Sequence, residues 1–220
     1  MRSSAFLALI CGVTFSECSQ TPQDTPKGKP EPSTPQQARS KVEEPKTSPV
    51  LDVAKRLAST RYSGWTYGSS ADKKQVDCVQ FLAEVVFEIE PQKKSNELRK
   101  NIYIDNLEKD EQNQEAFKRL LKAKDKRMTG VQSALVDAGI GKAIPVSDVR
   151  PGDLVQYWIY LKNGNVMGHA AIIEHVRQSE GGVEVQIYGS HKRTNGIATA
   201  DFWLPLTGAD REVFLVRMGK

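Results

Sequence analysis

The spacing of apolar residues changes along the chain and divides it. Before residue 50 there is one apolar run, Ala5-Phe6-Leu7-Ala8-Leu9-Ile10-Cys11-Gly12-Val13, and then a long stretch with almost none. From Val50 the period is helical. Val53, Leu57 and Ala58 share a face and predict a short helix over 51–59. Val79, Leu82, Val85, Val86 and Ile89 repeat at the same spacing behind Asp77, a natural N-cap, so Cys78 falls in the first turn of a helix that Pro91 ends. Phe117, Leu120 and Leu121 make a narrower stripe inside the strongly charged segment 92–128, which reads as helical with a solvated outer face. Val131, Ala134, Leu135 and Ala138 predict a helix over 129–139, with Thr129 as its cap and Gly139 as its stop.

Beyond residue 150 the pattern becomes that of strands. Arg150-Pro151-Gly152-Asp153 is a turn that opens a strand over Leu154–Tyr160. Asn163-Gly164-Asn165 turns the chain into a second strand over 168–175, and Glu180-Gly181-Gly182 turns it into a third over 183–188. A final strand is predicted over Arg211–Met218. Helices first and an antiparallel meander afterwards make an α+β domain, with the helices packed on one sheet.

The N-terminal fifth does not belong to that domain. Residues 1–18 read as an export signal: Arg2 is the basic start, and the apolar run over 5–13 is too short to span a membrane. Cys18 ahead of a polar linker resembles a bacterial lipoprotein start, while Glu17 before it fits the usual lipobox poorly, so a lipid anchor there stays open. Residues 19–49 read as a linker. They hold Pro22, Pro26, Pro30, Pro32, Pro35, Pro45 and Pro49 and no aromatic residue, so they cannot bury enough apolar surface to offset chain entropy. The folded domain is therefore 50–220, with a helical insertion over about 91–145. A hydrophobic content of 39% fits a chain that is only partly packed. A net charge of +4 is too small to argue for a nucleic-acid partner, and no nucleic-acid-binding motif is visible.

The candidate chemistry starts at Cys78. A helix start exposes its sulfur to unpaired N–H groups and the positive end of the helix dipole, which favour the nucleophilic thiolate. With the signal removed, Cys78 is the one cysteine of the folded part, a pattern shared by nucleophiles and by small buried residues alike. A thiol nucleophile needs a base, and His169, after Gly168 on the second strand, is the candidate. Small Ala170 and Ala171 would let that strand approach the helix closely. A third polar group should orient the imidazole. His191 at the end of the next strand is the choice, with Ser190 or Gln186 as substitutes, and His175 reads as a surface residue. The loop Gly64-Trp65-Thr66-Tyr67-Gly68 either lines a substrate groove or is pinned to the core by its aromatics. No spacing suggests a zinc site and no glycine-rich phosphate loop follows a strand, so no metal or cofactor is expected.

Asp77-Cys78 opening a helix, Arg150-Pro151-Gly152-Asp153-Leu154-Val155 opening a strand, and Gly168-His169-Ala170-Ala171-Ile172-Ile173 on the next resemble the NlpC/P60 family of papain-like cysteine peptidases, related to the CHAP amidases. The loop from Gly64 to Gly68 also looks like the aromatic–glycine loop ahead of the family's cysteine. The resemblance covers about residues 50–220. It implies a papain-like fold, Cys78 as nucleophile, His169 as base and His191 as the orienting residue. It also implies an acyl-enzyme formed on peptidoglycan peptides, with Trp65, Tyr67, Asp77 and Ser190 as the expected substrate contacts. The protein would then be an exported, cell-envelope-associated or secreted monomer. The chain departs from the family in having Val79-Gln80 where Ser-Gly is usual, and in the length of the insertion. A catalytically inactive cell-wall or partner-binding module on the same fold, and a thiol acyltransferase, are the competing expectations.

Overall fold

The structure is a computed structural model that describes residues 48–103 and 107–219. The expected export signal over 1–18, Cys18 and the linker up to residue 47 lie outside the described residues. The helices are α1 (Pro49–Ser59), α2 (Cys78–Ile89), α3 (Asn96–Ile102), α4 (Gln114–Lys122) and α5 (Gly130–Asp137). The strands are β1 (Thr66–Tyr67), β2 (Gln75–Val76), β3 (Gly141–Ala143), β4 (Leu154–Tyr160), β5 (Val166–Ser179), β6 (Gly182–His191), β7 (Gly196–Thr199), β8 (Leu204–Pro205) and β9 (Arg211–Met218). The α+β class is as the sequence predicts. Among the described residues no helix is long and apolar enough to cross a membrane.

The domain begins two residues earlier than the linker boundary implied. Ser48 caps α1 by accepting a hydrogen bond from the N–H of Val50, and Pro49 occupies the first turn, where its missing N–H costs nothing. The buried face of α1 is Val50, Leu51, Ala54 and Leu57, a rotation from the predicted stripe that leaves Val53 and Ala58 half-buried. α2 is more enclosed than its period suggested. Eight of its residues are buried, and only Gln80, Glu84, Glu88 and the last residue, Ile89, are half-exposed. The acidic stripe is held from both sides: Arg56 and Arg61 reach Glu88, and Arg61 and Arg99 reach Glu84. Those contacts fix the rotation of α2 between α1 and α3.

The main sheet runs in the order β3-β9-β4-β5-β6-β7, with β8 paired to β6. Strands β4, β5 and β6 form the expected antiparallel meander, and β7, which the pattern did not predict, extends it. The final strand departs from it. β9 returns to pair with β4 and places β3 at the edge. The reason is visible in β4, where Leu154 to Trp158 are buried on both faces. Such a strand is interior and needs a hydrogen-bonded neighbour on each edge. β5 supplies one and β9 the other.

Both faces of the sheet are covered, which the pattern did not reveal. One core packs Leu154, Trp158, Ala170, Ile172 and Val216 against α1, α2, α3 and α5. The other gathers Val155, Tyr157, Ala171, Ile173, Val185, Ile187 and Leu215 under the loop residues Ala200, Leu204 and Leu206. Ala170 therefore faces the helices as expected, whereas Ala171 faces away from them and packs by Gly189.

The insertion is mostly helical, and a buried amide helps tie it to the sheet. Gln156 is 1% exposed; its Oε1 accepts from the N–H of Val131 at 2.8 Å and its Nε2 donates to the Met128 carbonyl. Trp158 Nε1 donates to the same carbonyl at 2.8 Å. Thr129, the expected cap of α5, makes no capping bond; its hydroxyl pairs with Ser133 and the Lys126 carbonyl. A strand side chain far away in sequence has taken the cap's place. The other end of α5 is as predicted: Gly139 at φ +69° donates to Val136 while Ile140 donates to Leu135, closing the helix.

Candidate functional site

Asp77 and Cys78 stand where the sequence placed them. Asp77 caps α2: its Oδ1 accepts from the Gln80 N–H at 2.7 Å, and the Gln80 side chain accepts from the Asp77 N–H at 3.2 Å. This reciprocal pair satisfies two of the donors a helix start leaves unpaired. Gln80, read as a departure from the family pattern, is thus half of a capping box. The spacing Asp77-x-x-Gln80 was the signal for it. Cys78 follows as the first residue of the helix and is 8% exposed.

α2 packs on β5 and β6, with Phe81 edge-on to Tyr188. Ahead of it, Val76 is anchored from the sheet. The Ser190 hydroxyl donates to the Val76 carbonyl at 2.6 Å, and Ser190 is fully buried. Ser190, expected to contact substrate, has its hydroxyl taken up by this internal bond. Its only polar atom on the side chain is buried and engaged, so it works as a strut between β6 and the segment that leads into Cys78.

His169 on β5 and His191 on β6 are joined. Nε2 of His169 and Nδ1 of His191 are 2.8 Å apart, and the rings stand 4.9 Å apart centre to centre. Neither proposed substitute for His191 reaches His169: Ser190 is spent on Val76, and Gln186 donates to the Ala200 carbonyl. His175 is exposed, beyond a bulge in β5 that shifts the register between Ile173 and His175. The bulge sets where that side chain goes.

Tyr157 stands beside His169 and feels the charge of Cys78. It pairs with His169 across β4 and β5, and the rings meet edge-on at 5.6 Å. Its phenol is pushed well above the ordinary range, first by burial and then by the negative charge of a Cys78 thiolate. Nothing in the local pattern of β4 singled out Tyr157, because which strand residue lies by the cysteine depends on how α2 crosses the sheet.

Burial lowers the pKa of His169 strongly, and the neighbouring His191 pushes it the same way. Burial lowers that of His191 too, partly offset by the carbonyls of Ala198 and Ile187. Nε2 of His191 is nevertheless buried without a hydrogen bond. Both rings are therefore neutral at neutral pH, and only one proton lies between them. With His169 Nε2 as the donor, its Nδ1 is left as a base; with His191 Nδ1 as the donor, it is not.

Folding depends on this neutrality. In the unfolded chain each imidazole takes a proton below about pH 6.5, whereas the folded pair resists it. The unfolded state then binds more protons, so stability falls as the solution is acidified through that range. We expect a loss of up to about 1.4 kcal/mol per pH unit for each buried histidine between about pH 7 and pH 5. Urea midpoints at the two ends of the range measure it. A shallower slope in His191→Asn assigns the effect to the pair, and equal midpoints for the wild type would refute it.

Trp65 and Tyr67 are both half-buried in the segment ahead of Cys78. Trp65 stacks edge-on with Tyr62 at 4.9 Å and packs on the helical core. Tyr67 is half-buried in β1, paired with Val76 in a small parallel sheet. The backbone just before it packs closely on β7, where a Cβ on Gly196 would come within 2.9 Å of the Trp65 carbonyl. The pair thus positions the approach to Cys78. A residue that sequence reasoning missed is Tyr103, at the end of α3, whose hydroxyl donates to Asp77 Oδ2 at 3.1 Å. It lies in a charged segment with no pattern that would mark it.

No group of three or more histidine, cysteine, aspartate or glutamate side chains suited to a metal occurs among the described residues. No family model matches the chain, and neither does any curated protein or solved structure.

Proposed function

We propose that the protein is an exported cysteine hydrolase that cleaves amide bonds in peptidoglycan peptides through a thiol of Cys78, on a papain-like fold of the NlpC/P60 type. The observation that carries this reading is the 2.8 Å contact between His169 and His191. A base that must turn one nitrogen to a thiol needs its other nitrogen held, and His191 holds it without adding charge. Cys78 at the capped start of α2 supplies the second element. The apolar run over 5–13 and the proline-rich linker support export and a tether, and the short motifs around Cys78 and His169 support the substrate class.

The reaction follows from these groups. Neutral His169 takes the thiol proton on Nδ1 while its Nε2–H donates to His191. The thiolate and imidazolium stabilise each other, which offsets the burial that otherwise keeps His169 neutral. The sulfur attacks the amide carbonyl, and N–H groups of the first turn of α2 face the oxygen on which negative charge develops. His169 returns the proton to the departing amine. Water, activated by the same ring, then releases the acid from the thioester.

The test is incubation of the purified protein with intact peptidoglycan and with isolated muropeptides, reading new amino groups and product masses. New amines at one bond type are expected. Tight binding without any product would favour the inactive binding module, and thioester-dependent transfer to an added amine without hydrolysis would favour the acyltransferase.

A further inference from the structure

Among the described residues the helical insertion makes polar contacts with the cysteine helix and with its cap. α3 is capped by Ser95, buries Leu98 and Ile102, and is pinned to α2 by the pair of Arg99 with Glu84. Ile102 is fully buried, so the next residue, Tyr103, is delivered in a fixed position. Its hydroxyl donates to Asp77 Oδ2, while Asp77 Oδ1 accepts from Gln80. Both oxygens of a carboxylate that is 9% exposed are thereby engaged.

That carboxylate belongs to the residue before the thiol. Its negative charge opposes a Cys78 thiolate, while the N-terminal field of α2 favours one. The balance depends on how far the carboxylate charge is drawn off and where its plane is held. Among the described residues, Tyr157 from β4 feels the charge of Cys78 and meets His169 edge-on, His169 is joined to His191, and Tyr67 from β1 pairs with Val76, two residues before the thiol. Tyr103 reaches Asp77 itself, through a direct hydrogen bond to Oδ2.

We propose that Tyr103 is a positioning residue of the nucleophile: by donating to Asp77 it holds the cap carboxylate in place and keeps the Cys78 thiol easy to ionise. The insertion is then part of the site and not an ornament on its surface. The same ring forms part of the wall of a cleft of about 470 Å³ between α3 and α5, lined also by Lys100, Lys126, Ser133 and Asp137.

The role rests on Cys78 being the nucleophile, but its test needs no turnover. The rate of iodoacetamide alkylation is followed against pH in the full chain and read by mass at the Cys78 peptide, so that Cys11 and Cys18 do not contribute. Tyr103→Phe keeps the ring and removes the hydroxyl. It is expected to raise the alkylation midpoint by about half to one pH unit. Asp77→Asn keeps a good cap and removes the charge, and should lower the midpoint. In the Asp77→Asn background, Tyr103→Phe should then change nothing. An unshifted midpoint in Tyr103→Phe overturns the role, and so does an equal shift in both backgrounds. A protein that shows the coupled shift yet cleaves no peptidoglycan leaves this inference standing and sinks the proposed activity.

Discussion

Replacing Cys78 with alanine is expected to abolish amide cleavage, a fall of about 10⁴-fold or more, with folding unchanged. The side chain is small and sits at a helix start, where alanine fits without strain. His169→Ala should fall by a similar factor, because a thiol without a base is mostly un-ionised at neutral pH and has no proton donor for the leaving amine. His191→Ala should cost less, about 10²–10⁴-fold, mostly in kcat, since it acts through the orientation of His169. Groups that work as a unit do not lose activity additively, so the Cys78→Ala, His169→Ala double variant should be no worse than Cys78→Ala alone. Product release from muropeptides measures all four. Undiminished cleavage by Cys78→Ala would end the reading of Cys78 as nucleophile.

The largest effect on stability is expected at the turn that opens β4. Asp153 has a side chain only 2% exposed, and Arg217 of β9 grips it with two bonds, Nε to Oδ1 at 2.7 Å and Nη2 to Oδ2 at 2.9 Å. The N–H of Arg150 donates to the same carboxylate at 2.8 Å. Removing the arginine leaves a buried charge without its counter-ion, which costs far more than the intact pair contributes. Arg217→Met should therefore lose about 3–5 kcal/mol. That is a Tm lower by roughly 6–20 °C for a domain of this size. Adding Asp153→Asn removes the charge while keeping an acceptor for Arg150, so the double variant should recover part of the loss. Thermal melts of the single and double variants decide it; a double variant as unstable as the sum of the singles would refute the account.

This turn also shows how a sequence motif and its reason can come apart. Arg150-Pro151-Gly152-Asp153 was legible as a turn. Why it must contain Gly152 was not. Gly152 has φ +90°, and a Cβ there would lie 1.7 Å from the Ser48 hydroxyl that caps α1. The glycine is needed partly for its backbone angle and partly because the start of the domain packs on it, and the second cause lies about a hundred residues upstream.

What the sequence determined by itself was local. Asp77 marked the cap and start of α2, the final strand was predicted over the residues of β9, and Gly139 marked the end of α5. Each of these depends on neighbours within one or two turns of chain. Cys78, His169 and His191 could also be singled out as candidates, because residue type and position on an element can be read together. Tertiary structure alone decided that His191 rather than Ser190 or Gln186 meets His169, that Ser190 points to Val76, and that Gln156 caps α5 in place of Thr129. It likewise decided that β9 lies between β3 and β4, and that Tyr103 closes the cap of the cysteine helix. Each of these is a pairing between segments distant in sequence, and it follows from which polar groups burial leaves to be satisfied once the layers have packed. A local pattern says which face of an element turns inward; it does not say which partner waits there.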